Sequence, residues 1–156
     1  MMSEYVDALI FEIDQWGKAL AREGTRQSIN TVFFGGGTPS YLDGDQIARI
    51  MDVVTSQFRL SDEAEITLES NPGDITANRV TKWVNAQINR LSIGAQSFNN
   101  DLLQFLGHSP LIRIKPVAIA HEPVFVTVFT GENCCARRPA NRIGAERIQK
   151  HRPAFL

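Results

Sequence analysis

Three short polar segments hold the residues that could do chemistry, and each follows directly on an apolar run. Gly35-Gly36-Gly37-Thr38-Pro39 comes after residues 29–34, Glu69 with Ser70-Asn71-Pro72 after residues 64–68, and Gln96-Ser97 after residues 89–94. Glycines without β-carbons let a ligand touch backbone N–H and C=O groups, which suits an ammonium, a carboxylate or a phosphate. The G-x-x-x-x-G-K-[ST] pattern of a phosphate-binding Walker loop is absent. A carboxylate at Glu69 can accept hydrogen bonds from an ammonium or from sugar hydroxyls, and the Gln96 amide can both donate and accept. Asn71, Ser97 and Asn99 are weaker candidates of the same kind. Each signal also has a plain structural reading: a tight turn for the glycines, a solvated charge for Glu69, an ordinary strand-end amide for Gln96.

The elements around these segments explain why they would meet. Val6, Leu9, Ile10, Ile13, Trp16, Gly17 and Leu20 fall at helical spacing and predict a helix over 4–22, with Ser3 as N-cap and Gly24 as stop. INTVFF at 29–34 is β-branched and aromatic and reads as a buried strand. A helix follows over 44–58, a strand over 64–69, and a short helix capped by Thr76 with Val80, Trp83 and Val84 as its stripe. A third strand covers 89–94, and residues 101–106 turn helical again. Trp16 and Trp83 both lie on apolar stripes and read as core. Strands alternating with helices imply parallel pairing through right-handed crossovers. Parallel strands bring their C-terminal ends to one rim, the place where barrels and open α/β sheets bind ligands.

The character of the chain changes near residue 108. Residues 1–108 carry eight basic and fourteen acidic side chains, whereas residues 109–156 carry eight basic and three acidic ones. A β-like run at 123–130 has no paired helix. Residues 131–156, with Arg137, Arg138, Arg142, Arg147, Lys150 and Arg152, show no period and read as a solvated, irregular tail rather than a nucleic-acid surface. The net charge of −1 gives no argument for nucleic acid or a membrane surface. No apolar run reaches the ~18 residues of a membrane span. Met1-Met2-Ser3-Glu4-Tyr5 lacks a basic-then-apolar leader, so a cytoplasmic location is expected. The two cysteines, Cys134 and Cys135, are adjacent and make a poor metal site, and His108, His121 and His151 are far apart.

Taken together, FFGGGTPSYL, TLESNPGD and NRLSIGAQSFNNDLLQFLG resemble, in order and spacing, the radical S-adenosylmethionine (SAM) family of oxygen-independent coproporphyrinogen III oxidases and related haem chaperones, HemN/HemW. The compact IGAQSF and QFLG look more like the chaperone branch. The resemblance covers about residues 4–107. It implies a partial parallel (β/α) barrel with three βα units recognisable here, a CxxxCxxC loop holding a [4Fe–4S] cluster, and SAM cleaved to methionine and a 5′-deoxyadenosyl radical. In the oxidases that radical abstracts hydrogen from a propionate that then loses CO2; the chaperones bind haem. By motif position, Gly36, Gly37 and Thr38 would line the SAM methionine group, and Glu69 and Gln96 would hydrogen-bond SAM. His108 stands where the family usually has a SAM-contacting arginine, whose planar fork an imidazole does not replace.

These readings predict an α/β fold with a partial barrel over 1–108 and an irregular tail over 109–156. They also predict a chain truncated at both ends, with part of a SAM site and no ligands for the cluster. Porphyrinogen or haem would be the partner of the parent protein. A non-catalytic haem- or nucleotide-binding α/β module is the alternative.

Overall fold

The computed structural model describes residues 2–21, 26–97, 99–105 and 107, and the backbone of 125–130 and 133–139. The element order is α1 (Met2–Ala21), β1 (Ser28–Phe34), α2 (Gly44–Gln57), β2 (Arg59–Ser70), α3 (Ala77–Asn85), β3 (Arg90–Gln96), α4 (Asn100–Phe105), β4 (Phe125–Thr130) and β5 (Asn133–Pro139). The five strands form one sheet in sequence order. The pairs β1–β2, β2–β3 and β3–β4 are parallel, as alternation of strands and helices predicts, and β5 joins β4 antiparallel.

One face of this sheet carries the core. Phe34, Ile66, Leu68, Leu91 and Ile93 turn toward Ile47, Ile50, Met51 and Val54 of α2, Val80 and Trp83 of α3, and Val6 of α1. The helices are set by local signals. Asp43 and Gln46 form a capping box at the start of α2, the Asp43 N–H donating to Gln46 Oε1 at 2.9 Å. Thr76 caps α3 by accepting from the Arg79 N–H at 3.3 Å. Helix α1 crosses α2 closely at Gly17, where a β-carbon would sit 2.4 Å from the Gln57 β-carbon. Asn89 prolongs the β2–β3 ladder with its side chain, accepting from the Ile66 N–H and donating to the Ala64 carbonyl, both at 2.8 Å.

Several expectations are corrected. Trp16 is 61% exposed, because α1 turns Val6 and Gly17 inward and leaves Trp16 beside that line; Trp83, at 1%, is core as expected. Helix α1 begins at Met2, so Ser3 lies inside its first turn and is not its cap. Strand β1 has only Phe34 buried, since in the described sheet it is an edge paired to β2 alone. Strand β2 starts five residues early, at Arg59, because Ser28 and Ile29 pair with Arg59 and Leu60 before the ladder shifts past Ser61-Asp62-Glu63-Ala64. Within the stretch read as irregular, β5 was not anticipated, and β4 takes up the β-like run in parallel register with β3. Gly24 lies outside the described residues.

Candidate functional site

The glycine loop links the end of β1 to a 3₁₀ turn at Pro39–Tyr41. Its three glycines have different causes. At Gly35 a β-carbon would lie 2.3 Å from the Phe33 ring, which would have to turn aside to admit it. Gly36 and Gly37 have open space around them but φ of +84° and +60°, a backbone that L-residues adopt at a cost. The loop is anchored by Ser40, fully buried, whose hydroxyl donates to Asp74 Oδ2 at 2.6 Å. Asp74 belongs to the turn after β2, so two of the three rim segments are tied together.

Glu69 completes the tie. It is half-buried at the end of β2, and its Oε2 accepts a hydrogen bond from the Gly36 N–H at 3.2 Å. Glu69 is thus tied to the glycine loop at the rim.

Gln96 closes the third side. The β3–β4 register shifts between Gly94 and Gln96, and Gln96 has φ +61°. The Ser97 N–H donates to the Ala95 carbonyl at 2.7 Å, a γ-turn of the positive-φ kind, which is rare and strained outside glycine. Strain of this kind is found at ligand sites, where surrounding structure holds it in place.

These residues meet at one cavity of about 370 Å³, lined among others by Gly37, Thr38, Glu69, Asn71 and Gln96. Gly36 is bonded to Glu69 but itself lines a neighbouring cavity, with Gly35, Tyr5 and Leu9. Two weaker candidates do other work. Asn99 Oδ1 accepts from the Asp101 N–H at 2.8 Å and so caps α4, and Ser97 Oγ accepts from the Asn99 N–H at 3.0 Å. His108, His121 and His151 lie outside the described residues.

Besides Phe33, read only as part of a buried strand, two lining residues escaped the sequence reading, Arg90 and Ser92. Their signal was strict alternation in RLSIGAQ: Leu91, Ile93 and Ala95 are buried against the helices, so Arg90, Ser92, Gly94 and Gln96 share the opposite face.

The radical SAM superfamily profile matches residues 12–131, past the residue 107 where the motif resemblance stops. The chain is 40% identical over 110 residues to the heme chaperone HemW of Escherichia coli K12, covering 69% of this chain and 28% of that protein. It is 44% identical over 82 residues to HemW of Haemophilus influenzae, covering 53% and 21%. The solved structure of coproporphyrinogen III oxidase, HemN, from Escherichia coli superposes with a TM-score of 0.61 at 31% identity, over 69% of this chain and 24% of that one. The chain thus spans about a quarter of the length of these relatives.

Proposed function

The chain belongs to the radical SAM superfamily, and from that membership we propose that its rim cavity holds the amino-acid end of SAM, in a protein of porphyrin or haem metabolism. The observation that supports this reading is the convergence of three separate segments: Gly37 and Thr38 of the glycine loop, Glu69 and Gln96 line one cavity, and Gly36 donates to Glu69.

The donor set fits the molecule. Among the described residues Glu69 accepts a single hydrogen bond, leaving its other oxygen for the SAM ammonium. The backbone at Gly37, which lines the cavity, is free of side-chain cover and can meet the carboxylate. The Gln96 amide is placed to donate and accept at a nucleoside or amino-acid group. When bound beside a reduced cluster, SAM supplies a 5′-deoxyadenosyl radical; the residues described here bind and orient it.

This chain does not fit the cluster. Its two cysteines are neighbours, Cys134 and Cys135, and among the described residues no group of three or more His, Cys, Asp or Glu could hold a metal. No described helix is long and apolar enough to cross a membrane.

Calorimetric titration of SAM into the chain tests the reading. Binding is expected, with an affinity at least about tenfold lower for Glu69→Ala, a difference of about 1.4 kcal/mol. Absent binding, or equal binding by the variant, defeats it. A parallel haem titration followed by absorbance tells whether the chain binds haem by itself.

A further inference from the structure

The glycine loop has to be held in place without side chains of its own. Gly36 and Gly37 stand in open space at positive φ, so nothing local fixes where their backbone points. Among the described residues, two side-chain hydrogen bonds tie the loop and its 3₁₀ turn to the end of β2 and the turn after it: Gly36 to Glu69, and Ser40 to Asp74. The two differ in position. Glu69 lines the cavity, so the first tie draws on the carboxylate that is also offered to a ligand ammonium. Ser40 and Asp74 do not line the cavity, and Ser40 is buried beside Pro39. The second tie is therefore the one that a ligand leaves undisturbed.

Its parts are arranged to be stiff. The Ser40 hydroxyl meets Asp74 Oδ2 at 2.6 Å, the short separation of a hydroxyl on a carboxylate. The other oxygen, Oδ1, lies 3.4 Å from Arg79 Nη1, so both oxygens of Asp74 are engaged. Arg79 stands in the first turn of α3, and its guanidinium carbon lies 5.8 Å from the centroid of the Trp83 ring, a core side chain. The chain of contacts thus runs from the fixed ring of Trp83 through Arg79 and Asp74 to Ser40, two residues after Thr38 at the cavity wall. On the other side of the same turn, the Asp74 N–H donates to the Asn71 carbonyl at 3.0 Å, and Asn71 lines the cavity too.

We infer that Ser40 and Asp74 form a latch behind the cavity that positions the glycine loop for SAM, with Arg79 orienting the Asp74 carboxylate. The inference deepens the reading given above and rests on it for the ligand. Ser40 and Asp74 are positioning residues: they touch no ligand and act through Gly37 and Thr38, whose backbone they hold in front of Glu69.

The test uses the full chain, with SAM affinity followed by calorimetry and amide hydrogen exchange by NMR. Ser40→Ala and Asp74→Ala should each weaken SAM binding about tenfold. The double variant should lose no more than about twofold beyond either single one, because the two side chains act as one tie. Asp74→Asn keeps an acceptor for the Ser40 hydroxyl and should stay within about threefold of the wild type. In Ser40→Ala without ligand, the Gly36 amide should exchange at least about tenfold faster while the amides of Leu68 and Ile93 keep their wild-type rates, which separates a loosened loop from a destabilised fold. Unchanged SAM affinity in Ser40→Ala, losses that add in the double variant, a loss in Asp74→Asn equal to that in Asp74→Ala, or faster exchange throughout the strands each overturns the latch. A wild type that binds no SAM removes the rim reading and the latch with it. A wild type that binds SAM no better than Ser40→Ala removes the latch alone.

Discussion

Glu69 and Gly36 each depend on the other, and substitutions at the two should fail for different reasons. Gly36→Ala leaves ample room but forces a β-carbon onto a backbone at φ +84°, a strain of roughly 1–2 kcal/mol. Its expected effect is weaker SAM binding together with a lowered denaturation midpoint. Glu69→Gln keeps shape and an acceptor for Gly36 while removing charge, so it should weaken SAM binding with little change in that midpoint. Chemical denaturation run beside calorimetry separates the two, and equal loss of stability in both would contradict the account. Asn89 is a purely structural member of the same motif. Asn89→Ala strips the Ile66 N–H and the Ala64 carbonyl of their partners, at a cost of about 1–3 kcal/mol readable as a shifted midpoint. At this scale the positions of Gly36, Gly37, Thr38, Glu69 and Gln96 on one rim were legible because each lies at or just after the end of a strand; their part in binding SAM is the proposal made above. Arg90 was not, because a basic residue at the start of a strand looks like a solvated flank until the sheet face is known. Ser97 and Asn99 misled for a related reason: short polar side chains after a strand serve a helix cap as readily as a ligand.

Between elements, the contacts that fix spacing are unusually tight at two glycines. A β-carbon on Gly17 would come within 2.4 Å of Gln57, and one on Gly44 within 2.4 Å of Lys82. Gly17→Leu should push α1 off α2 and cost about 1–3 kcal/mol, measured by thermal or chemical unfolding. The α2–α3 seam has an ionic part as well. Lys82 Nζ lies 3.0 Å from Asp43 Oδ1 and 3.4 Å from Asp45 Oδ2. The Lys82 hydrogen bond, followed by the Asp45 N–H, holds the Asp43 carboxyl below the usual aspartate range, and Asp43 and then Asp45 raise Lys82 above the usual lysine range. The signs follow. Asp43 adds stability above the ordinary aspartate value, lost as pH falls through its lower folded value, that is below about pH 4. Lys82 adds stability below the ordinary lysine value, lost as pH rises through its higher folded value, above about pH 10. Both groups face water, so the effect is small and fades with salt. Unfolding midpoints of the wild type and Lys82→Met should converge at both pH extremes and differ in between. Element types from α1 to α4 were readable from periodicity and caps. Trp16 was misplaced because its spacing is compatible with the buried stripe, and only the crossing at Gly17 decides which side of α1 faces α2.

At the scale of the whole molecule, the described residues form an open sheet. Strand β1 is an edge of the described sheet, with Phe33 exposed at 59% beside it. Unpaired edges invite other chains to pair with them, and the isolated chain is accordingly expected to be marginally stable or to self-associate. Light scattering across a concentration series checks this, and a soluble monomer with a sharp cooperative transition would contradict it. Anaerobic reconstitution of this chain with iron and sulfide, assayed for 5′-deoxyadenosine, is expected to give no product above background, since Cys134 and Cys135 alone do not make a cluster ligand set. The alternation within β2 and β3 has a wider bearing. Odd and even positions of the same strands answer to different demands: Ile66, Leu68, Leu91 and Ile93 keep the protein folded, while Glu69, Arg90, Ser92 and Gln96 line the cavity. Exchanging residues of the second set alters which molecules are welcome without loosening the first. A scaffold interleaved in this way can be retuned to new ligands one strand position at a time, a property useful to natural drift and to engineering alike.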